Sequence, residues 1–558
     1  MMQTLAAAAA ALTLLTGPAP APAAPPGSAT AIHFTPGQAL RYGSAAQAGL
    51  VPSDVDRIAD DIALYTKPSP TYPEYPGAVA LAAHNGVIVA HDTTGYALKY
   101  ADDKPTELPP DQWIPMRRDT IFDIASMTKL FTSLAAVQLI ERGRLGLDTP
   151  VAAYIPQFAA NGKGGITIRN LLTHTSGLPA DPSPSLCDYA TNDERWAAVY
   201  AVKPAAAPDT VYLYSDMNMM TLGKVIETVT GQPLDQVVRQ RVTGPLGLRD
   251  TMFNPPAALQ PRIAAEEYQP WTGRGIVWGT VHDENAYCVG GVSGHAGIFS
   301  TAHDLAILAQ TLLDGGSYGH ARILSPASTR LLFTDYNQAF PGDSHGLGFE
   351  LNQPFYMDAL SSPVTAGHTG YTGTDIVIDP LSHSFVILLT NRVHPSRNWG
   401  SNNPARRAVA RDLALAIPVR PRSGPTDYFS GTVDATSATL GVPVSVPAAG
   451  ARLCFDLWYD TEPSDVAYLE ASSDGGATWQ SLASFAGFEG RTWLRETAVV
   501  PGGTTDLRWR YTTDALYEGR GVYVDGIRVT GPHGTLFDDR RPADAARVQL
   551  SGWRVSRV

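Results

Sequence analysis

Ser126 and Lys129, in the segment FDIASMTKLFTS (residues 122–133), form the pair of side chains whose types and spacing first suggest chemistry. Residues three apart on a helix share one face, with Cβ atoms about 5–6 Å apart. A lysine at that distance can accept the proton of a serine hydroxyl, and free N–H groups at a helix start stabilise an oxyanion. The S-x-x-K pattern is short, however, and an ordinary helix with two polar residues also produces it.

A second segment, YLYSDMNMMTLG, places Tyr214 two residues before Asp216 and just ahead of a helical run. A tyrosine hydroxyl beside a cationic lysine can ionise and act as a general base. If Ser215 were instead the hydroxyl of an S-x-N motif, Met217 would stand where asparagine is expected. We therefore predict that Tyr214 supplies the hydroxyl.

A third segment, GHTGYTGTDIVIDP, places His368, Thr369 and Gly370 at the opening of a predicted strand. Glycine allows a substrate to approach the backbone closely. The next amide, on Tyr371, can then donate a hydrogen bond to an oxyanion.

The three segments, in the order S-x-x-K, Y-x-[ND] and a basic residue followed by T-G, resemble the motifs of the penicillin-recognising serine hydrolases. The chain looks most like the branch that holds class C β-lactamases, D-Ala-D-Ala carboxypeptidases, D-aminopeptidases and related esterases. The phrases YPGAVALAAHNG, LLTHTSGLP and HDENAYCVGGVSGHAGIFSTAHDLA support this resemblance. It covers roughly residues 46–417 and is specific for fold and nucleophile, but much less specific for substrate.

The resemblance implies a role for each of these residues. Ser126 would be the nucleophile, Lys129 its proton partner, and Tyr214 the base and then the acid toward the leaving group. The backbone amides of Ser126 and Tyr371 would form the oxyanion hole. The sheet edge of the cleft would be lined by His368, Thr369 and Gly370.

Two departures from the β-lactamase pattern change the charge of the expected site. His368 stands where the family usually has lysine, and it is mostly neutral at pH 7. Asp216 replaces the usual asparagine, adds negative charge beside the substrate, and favours a protonated Lys129, which moves the base role to Tyr214. We therefore expect hydrolysis of esters or D-amino-acid peptides, including cell-wall peptides, with weak or no β-lactamase activity. A β-lactamase or D-Ala-D-Ala carboxypeptidase, and a non-catalytic sensor or wall-binding protein, are the alternatives.

Composition and charge exclude several kinds of partner. The formal net charge of −12, with no basic block, argues against nucleic acid or an anionic membrane surface as partner. After the amino terminus, no stretch approaches 18 uninterrupted apolar residues, so we expect no membrane span. No Cys/His cluster has zinc-ligand spacing, and we expect neither a metal nor another cofactor.

The amino terminus has the features of an export signal. Its apolar core, Leu5 to Leu15, is too short to span a bilayer, and Ala21-Pro22-Ala23 offers a cleavage site with small residues. These features predict a secreted or extracytoplasmic protein.

Changes in composition, together with the extent of the family resemblance, predict five segments along the chain. They are a signal peptide (1–23), a Pro/Ala/Gly-rich leader (24–45), a β-lactamase-like serine hydrolase domain (46–417), a linker (418–429) and a β-sandwich accessory domain (430–558).

The elements expected to position the chemistry define an α+β fold. A hairpin is predicted at Asn85-Gly86, because a type I′ turn requires φ > 0 at both central residues. Helices are predicted at VPSDVDRIADDIALYTK, through much of residues 124–250, and at NNPARRAVARDLALAI, and buried strands at AGHTGYTGTDIVIDP and SFVILLTNRV. We expect an antiparallel sheet flanked by helices and meeting a helical subdomain at a cleft. Short alternating strands beyond the linker predict an all-β sandwich, with glycan or protein as its possible ligand classes.

Other residues admit a chemical and a structural interpretation. Ser317, in GGSYG, fits the G-x-S-x-G elbow of α/β-hydrolases, but a helix precedes it where that elbow needs a strand, so a loop is favoured. A turn-holding role is favoured for His174, and a place on the cleft rim for residues 282–285 and His295. Three cysteines allow at most one intramolecular disulfide. Pairing of Cys187 with Cys288 and three free thiols both remain open.

Overall fold

The computed structural model describes residues 32–35, 37–68 and 73–558. The predicted signal peptide, and residues 24–31 and 36 of the predicted leader, lie outside the described residues. Within the described ranges, no helix is both long enough and apolar enough to cross a membrane.

An eight-stranded sheet forms the centre of the first domain. Its hairpin turns at Asn85 and Gly86, whose φ angles of 48° and 74° confirm the predicted turn. Every pairing is antiparallel except that of the first strand, which runs parallel to its neighbour. Across the sheet the strands are Arg41–Tyr42, Val87–Leu98, Gly77–His84, Ser384–Thr390, Asp375–Asp379, Ala366–Thr369 and Glu350–Leu351, with Ile114–Pro115 also beside Val87–Leu98.

Helices cover both faces of this sheet. Successive side chains of a strand point to opposite faces, so Leu81 and Ala80 enter different apolar clusters. The cluster of Leu81 includes helix Ala302–Leu313. The cluster of Ala80 is covered by the predicted first and closing helices, which the structure places at Pro52–Leu64 and Asn403–Ala416.

A helical subdomain is inserted between the amino-terminal and carboxy-terminal strands of the sheet, as predicted. Its helices are Thr128–Glu141, Ile168–Leu172, Asn192–Ala201, Asp216–Thr230, Leu234–Val238 and Gly244–Leu246, with a π-helical turn at Arg239–Thr243. Cys187 and Cys288 form a disulfide, which settles the pairing left open by the sequence, and Cys454 is a free thiol.

Shorter elements complete the first domain. Its remaining α-helices are Ala45–Ala48, Glu284–Cys288, Pro326–Leu332 and Pro354–Met357. A three-stranded sheet contains Phe122–Asp123, Ile298–Ser300 and Met252–Phe253, and a small hairpin pairs Ser317–Tyr318 with Ala321–Arg322. The 3₁₀ turns are Pro110–Gln112, Ala125–Met127, Val151–Ala153, Pro156–Gly165, Leu186–Asp188, Ala257–Arg262, Pro270–Thr272, Asp358–Leu360 and Arg397–Trp399.

The carboxy-terminal region is an additional β domain made of two sheets around one apolar core, in which Trp509 is fully buried. The first sheet contains Leu494–Val500, Ala451–Asp460, Gly521–Gly531, Asp427–Phe429 and Arg554–Ser556, with Gly534–Asp538 beside Gly521–Gly531. The second contains Gln480–Phe485, Val466–Ser472, Asp506–Thr512, Ser437–Pro443 and Gln549–Ser551, and a short helix spans Pro542–Ala545. The strand at 427–429 falls within the predicted linker because the Pro-rich composition does not show its pairing with Gly521–Gly531.

Arg491 connects the two domains through a buried ion triad. Its guanidinium lies 2.5 Å from the Asp379 carboxylate, at the end of a central-sheet strand, and 2.6 Å from the Asp460 carboxylate of the β domain. It also donates hydrogen bonds to the carbonyls of Leu360 and Ser361.

We expect Arg491→Ala to lower the free energy of unfolding by about 3–5 kcal/mol, because it leaves two buried carboxylates without their ion-pair partner. Urea denaturation measures this loss. The control is Arg528→Ala in the same β domain, where the arginine is 54% exposed and 3.7 Å from Asp538. Such a surface pair is worth at most about 1 kcal/mol. Equal losses in the two variants would show that Arg491 is not a principal connection between the domains.

Candidate active site

Ser126 lies in the 3₁₀ turn Ala125–Met127, and helix Thr128–Glu141 begins two residues later. The serine therefore lies in the turn just ahead of the helix and not at the first residue of the helix. Ala125 has a φ of 45°, a backbone conformation that is costly for a residue with a side chain. The Asp123 carboxylate accepts a hydrogen bond from the Ala125 N–H at 2.8 Å and so supports this turn.

Lys129 is almost completely buried and contacts both the serine and the second motif. Its Nζ donates to Ser126 Oγ at 2.8 Å and to the His295 carbonyl at 3.3 Å, and it lies 2.6 Å from an Asp216 carboxylate oxygen. Burial favours a lower pKa, but the charges and hydrogen bonding of Asp216 and Tyr214 together outweigh it, and the pKa of Lys129 is raised above its usual value. Lys129 is therefore an ammonium group at neutral pH, as expected from Asp216.

Tyr214 lies beside the same two groups. Lys129 Nζ is 4.8 Å from the centre of the Tyr214 ring, and the Tyr214 hydroxyl is close enough to Lys129 and Ser126 for both to lower its pKa. Burial raises the pKa of Tyr214 to about 12, against the lowering effect of Lys129 and with a further raising effect from Asp216. The hypothesis that the lysine makes Tyr214 ionise is thus wrong for the resting site, where the hydroxyl keeps its proton.

His368 is buried behind Tyr214 instead of lining the cleft. Its ring centre lies 6.0 Å from that of Tyr214, and its Nδ1 donates to the Thr369 carbonyl at 2.7 Å. Burial and the charge of Lys129 lower the pKa of His368 to about 3, so the imidazole is neutral, as its residue type suggests. The His-Thr-Gly segment also closes strand Ala366–Thr369 and does not open one. Of its residues, Thr369 and Gly370 line a cavity beside Ser126.

The turn that carries Tyr371 is fixed directly to the segment that precedes Ser126. Thr372 Oγ1 donates to the Asp123 carbonyl at 2.7 Å, and Thr374 Oγ1 donates to the Ile124 carbonyl at 3.3 Å. A Cβ at Gly370 would lie 2.5 Å from the Ile124 carbonyl oxygen, so only glycine permits this close approach. These contacts hold the two segments that carry the predicted oxyanion amides against each other.

Two cavities of opposite charge meet at Ser126, Tyr214 and Tyr371. The acidic cavity, of about 850 Å³, is also lined by Asp181, Asp188, Asp216, Asp283, Glu284, Trp271, Tyr287 and the Cys187–Cys288 disulfide. The basic cavity, of about 550 Å³, is also lined by Thr369, Gly370, Glu350, Arg392 and Arg406. Arg397 borders both cavities, and it is paired with Glu267 and Glu284.

Arg392 and Arg406 are site residues that the sequence reasoning missed. Arg392 donates to the carbonyls of Tyr371 and Gly400, at 2.6 and 2.5 Å, and no described carboxylate forms an ion pair with it. Arg406 donates to the Gly370 and Thr374 carbonyls. The sequence did contain a signal for Arg392, because this arginine stands in TNRV, at the end of the buried strand Ser384–Thr390. That strand ends at the same edge of the sheet as the segment Thr369-Gly370.

The remaining candidates are placed as their structural interpretations predict. His174 is buried, with a φ of 56°, and its Nδ1 accepts hydrogen bonds from the Ser215 N–H and the Asn218 amide. Ser317 belongs to a small hairpin, without the strand-to-helix turn of an elbow. Asp283, within the segment 282–285, lies 3.0 Å from His295 Nε2.

One group in the site could geometrically hold a metal ion, namely Asp216, Asp283 and His295. Lys129 already provides a cation for Asp216. Burial opposes a charge on His295, but Asp283 and Asp216 outweigh it and raise the pKa of the imidazole. A metal ion here would have to displace Lys129 from Asp216 and His295 from Asp283, so these existing contacts disfavour a metal ion.

Comparison with known proteins shows which family the chain belongs to. A family model described as "Beta-lactamase" matches residues 70–411. A protein of Escherichia coli K12 named "Putative D-alanyl-D-alanine carboxypeptidase" is 36% identical over 360 residues, which cover 59% of this chain and 81% of that protein. A Salmonella typhimurium protein of the same name is 34% identical over 351 residues, covering 57% and 79%.

Two solved structures share the fold. A penicillin-binding protein homologue from Caulobacter crescentus aligns with a TM-score of 0.52 and 22% identity, covering 66% of this chain and 99% of its own. EstCE1, described as a hydrolase with promiscuous acyltransferase activity, aligns with a TM-score of 0.51 and 24% identity over the same shares.

Proposed function

This chain belongs to the β-lactamase family and is a serine hydrolase, and from that premise we propose that it is an exported D-amino-acid carboxypeptidase that acts through an acyl-enzyme on Ser126. The observation that carries the choice of substrate is the guanidinium of Arg392, which forms no ion pair with a described carboxylate and lines the basic cavity together with Thr369 and Gly370. A carboxypeptidase substrate has its terminal carboxylate one residue beyond the scissile bond, within reach of such a group. The names of the curated relatives agree with this choice.

In the proposed reaction, Ser126 Oγ attacks the scissile carbonyl and its proton passes to the Tyr214–Lys129 pair. The amides of Ser126 and Tyr371 stabilise the oxyanion. The pair then returns the proton to the leaving amine as the C–N bond breaks, and the acyl-enzyme remains. Water then attacks the acyl-enzyme through the same proton transfers, so that the free acid is released and Ser126 regains its proton.

The resting protonation states set a condition on this reaction. Both Lys129 and Tyr214 hold their protons at neutral pH. The pair must therefore lose one proton before it can accept the proton of Ser126. The two groups titrate together, so this loss belongs to the pair and not to either residue.

The arginines also change the expectation for β-lactams. Neutral His368 and anionic Asp216 argue against binding an anion, but Arg392 and Arg406 supply positive charge on the same wall of the cleft. Charge alone therefore no longer separates a D-peptide from a β-lactam. Hydrolysis of β-lactams is the second candidate function, and nitrocefin is the appropriate comparison substrate.

The test is a substrate panel containing acetylated peptides that end in D-Ala-D-Ala or L-Ala-L-Ala, p-nitrophenyl esters and nitrocefin. We expect release of D-alanine from the first peptide only, with kcat/KM above that for nitrocefin. Turnover of esters or nitrocefin without D-alanine release would assign an esterase or a β-lactamase instead. Absence of all turnover, together with no labelling by a fluorophosphonate probe, would favour a non-catalytic binding protein.

We expect Asp216→Asn to shift the rising limb of kcat/KM against pH by about one unit toward lower pH. The charge of Asp216 raises the pKa of both Lys129 and Tyr214, and the active pair has released a proton. Removing the charge lowers both pKa values, so the active form is populated at lower pH. Rates on an uncharged p-nitrophenyl ester, measured from neutral to alkaline pH, exclude effects on binding a charged substrate. A limb that stays in place or moves upward would contradict the role given to Asp216.

A further inference from the structure

The peptide group that joins Gly370 to Tyr371 is bound at one end and free at the other. Its N–H, on Tyr371, is one of the two proposed oxyanion donors, and it donates to no group in the part of the chain that the structure describes. Its carbonyl, on Gly370, accepts hydrogen bonds from the Gly373 N–H at 3.0 Å and from the Arg406 guanidinium at 2.8 Å. The contact with Arg406 therefore acts on the same peptide group as the proposed oxyanion donor.

The shape of a peptide group converts a hold on the carbonyl into a direction for the N–H. The Gly370–Tyr371 bond is trans, and in a planar trans peptide the C=O and N–H bonds point in opposite directions. A fixed carbonyl therefore fixes the direction of the Tyr371 N–H. Hydrogen bonds in series also polarise one another, so a cation at the carbonyl oxygen makes the N–H a stronger donor.

Arg406 is itself held in place by the protein. It lies in helix Asn403–Ala416, is 7% exposed, and also donates to the Thr374 carbonyl at 2.9 Å and to Asn403 Oδ1 at 2.8 Å. Its Nε lies 3.6 Å from the Asp375 carboxylate. A guanidinium with these contacts has little freedom to turn toward a substrate, which favours a role within the wall of the cleft.

Arg392 has a different position relative to this peptide group. It donates to the Tyr371 carbonyl at 2.6 Å, and that carbonyl belongs to the next peptide group along the chain. Of the two arginines, only Arg406 binds the peptide group that carries the proposed donor. The two arginines are therefore not equivalent.

We propose that Arg406 is a positioning residue for the reaction: it holds the Gly370 carbonyl and thereby directs and strengthens the Tyr371 N–H that stabilises the oxyanion. The inference rests on the proposed function for the nucleophile, Ser126, and for the donor, Tyr371. It is independent of whether the substrate is a D-peptide, an ester or a β-lactam, because each forms an oxyanion at the same place.

The test replaces Arg406 by lysine, which keeps the positive charge beside Asp375 but has no planar fork to bind the Gly370 and Thr374 carbonyls. The substrate is an uncharged p-nitrophenyl ester, and rates are given per active site, counted by end-point labelling with a fluorophosphonate probe. We expect kcat per site to fall by about 10–100-fold, with KM within about threefold of the wild-type value. Counting the sites removes any contribution from misfolded protein.

Phenylboronic acid supplies a readout that a merely structural role does not change. Its boron accepts an electron pair from Ser126 Oγ as the serine proton leaves to solvent, and one oxygen of the resulting tetrahedral anion takes the place of the oxyanion. We expect its Kd, measured by calorimetry, to rise in Arg406→Lys by the same factor by which kcat/KM for the ester falls.

The matched control is Arg411→Lys in the same helix. Arg411 pairs with Asp358 and Glu518 and lines neither cavity at Ser126, so the ester kcat per site and the boronic acid Kd should both remain at wild-type values.

The outcomes separate this inference from its alternatives. An unchanged ester kcat in Arg406→Lys, with a raised KM for a peptide ending in D-Ala-D-Ala, would assign Arg406 to the substrate carboxylate and overturn the inference. A lower kcat with an unchanged boronic acid Kd, or equal losses in Arg411→Lys, would assign it a general structural role instead. If the wild type turned over no substrate, the proposed function would fail, while the boronic acid Kd would still test Arg406. A wild type that bound no boronic acid would overturn the inference as well.

Discussion

Replacing Ser126 by alanine is expected to lower kcat/KM for D-alanine release by about 10⁴-fold or more. The substitution removes the only atom that the proposed mechanism joins to the acyl group. The binding cavities and the oxyanion amides remain, and they account for any residual rate. Steady-state release of D-alanine measures this loss, and labelling by a fluorophosphonate probe should disappear in the same variant.

The matched control is Ser317→Ala, which removes the hydroxyl of the GGSYG segment. Ser317 lies in a surface hairpin and lines neither cavity at Ser126, so rate and labelling should remain at wild-type levels. The reverse pattern, with activity lost at Ser317 and kept at Ser126, would refute the assignment of the nucleophile.

Tyr214→Phe is expected to lower kcat by about 10²–10⁴-fold, with little change in KM. The hydroxyl lies close to Ser126 and Lys129, and it passes the proton between serine and leaving group in the proposed mechanism. Phenylalanine keeps the half-buried ring against Lys129 and His368, so the loss reports on the oxygen alone. Pre-steady-state and steady-state kinetics with a peptide ending in D-Ala-D-Ala measure the effect.

Tyr212→Phe is the matched control for this prediction. Tyr212 is two residues away and contacts the rings of His174 and His345, without a contact to Ser126 or Lys129. We expect removal of the Tyr212 hydroxyl to change kcat by less than about threefold. If Tyr214→Phe kept most of its activity, Lys129 would be the group that accepts the serine proton directly.

Features that depend on neighbouring residues were readable from the sequence. The turn at Asn85-Gly86 follows from backbone preferences of two residues, and the helix that contains Lys129 follows from a local apolar pattern. The order of three short motifs was enough to predict the family, and the match of the family model to residues 70–411 confirms that prediction. The prediction of a protonated Lys129 also came from a local pairing of residue types, lysine with Asp216.

Features that depend on tertiary packing were not readable. The sequence shows that His368 is a histidine but not that it lies behind Tyr214, and its burial decides its charge. The arginines of the basic cavity reach the site from the end of one strand and from the closing helix, and no spacing rule connects them to Thr369. Likewise, Tyr214 was expected to ionise beside a lysine, but the cost of burying a phenolate is larger than the attraction, and only the structure gives the depth of burial.

The contact between Thr372 and Asp123 joins positions 249 residues apart in the chain. Contacts of such separation form late in folding, because the entropy of closing a long loop must first be overcome. A partly folded chain can therefore have its helical subdomain, with Ser126, Lys129 and Tyr214 all in place, before the turn with Tyr371 has docked. Such a chain has the proposed nucleophile and proton carriers but only half of the proposed oxyanion hole. We therefore expect catalytic competence to require the docking of these two distant parts of the domain.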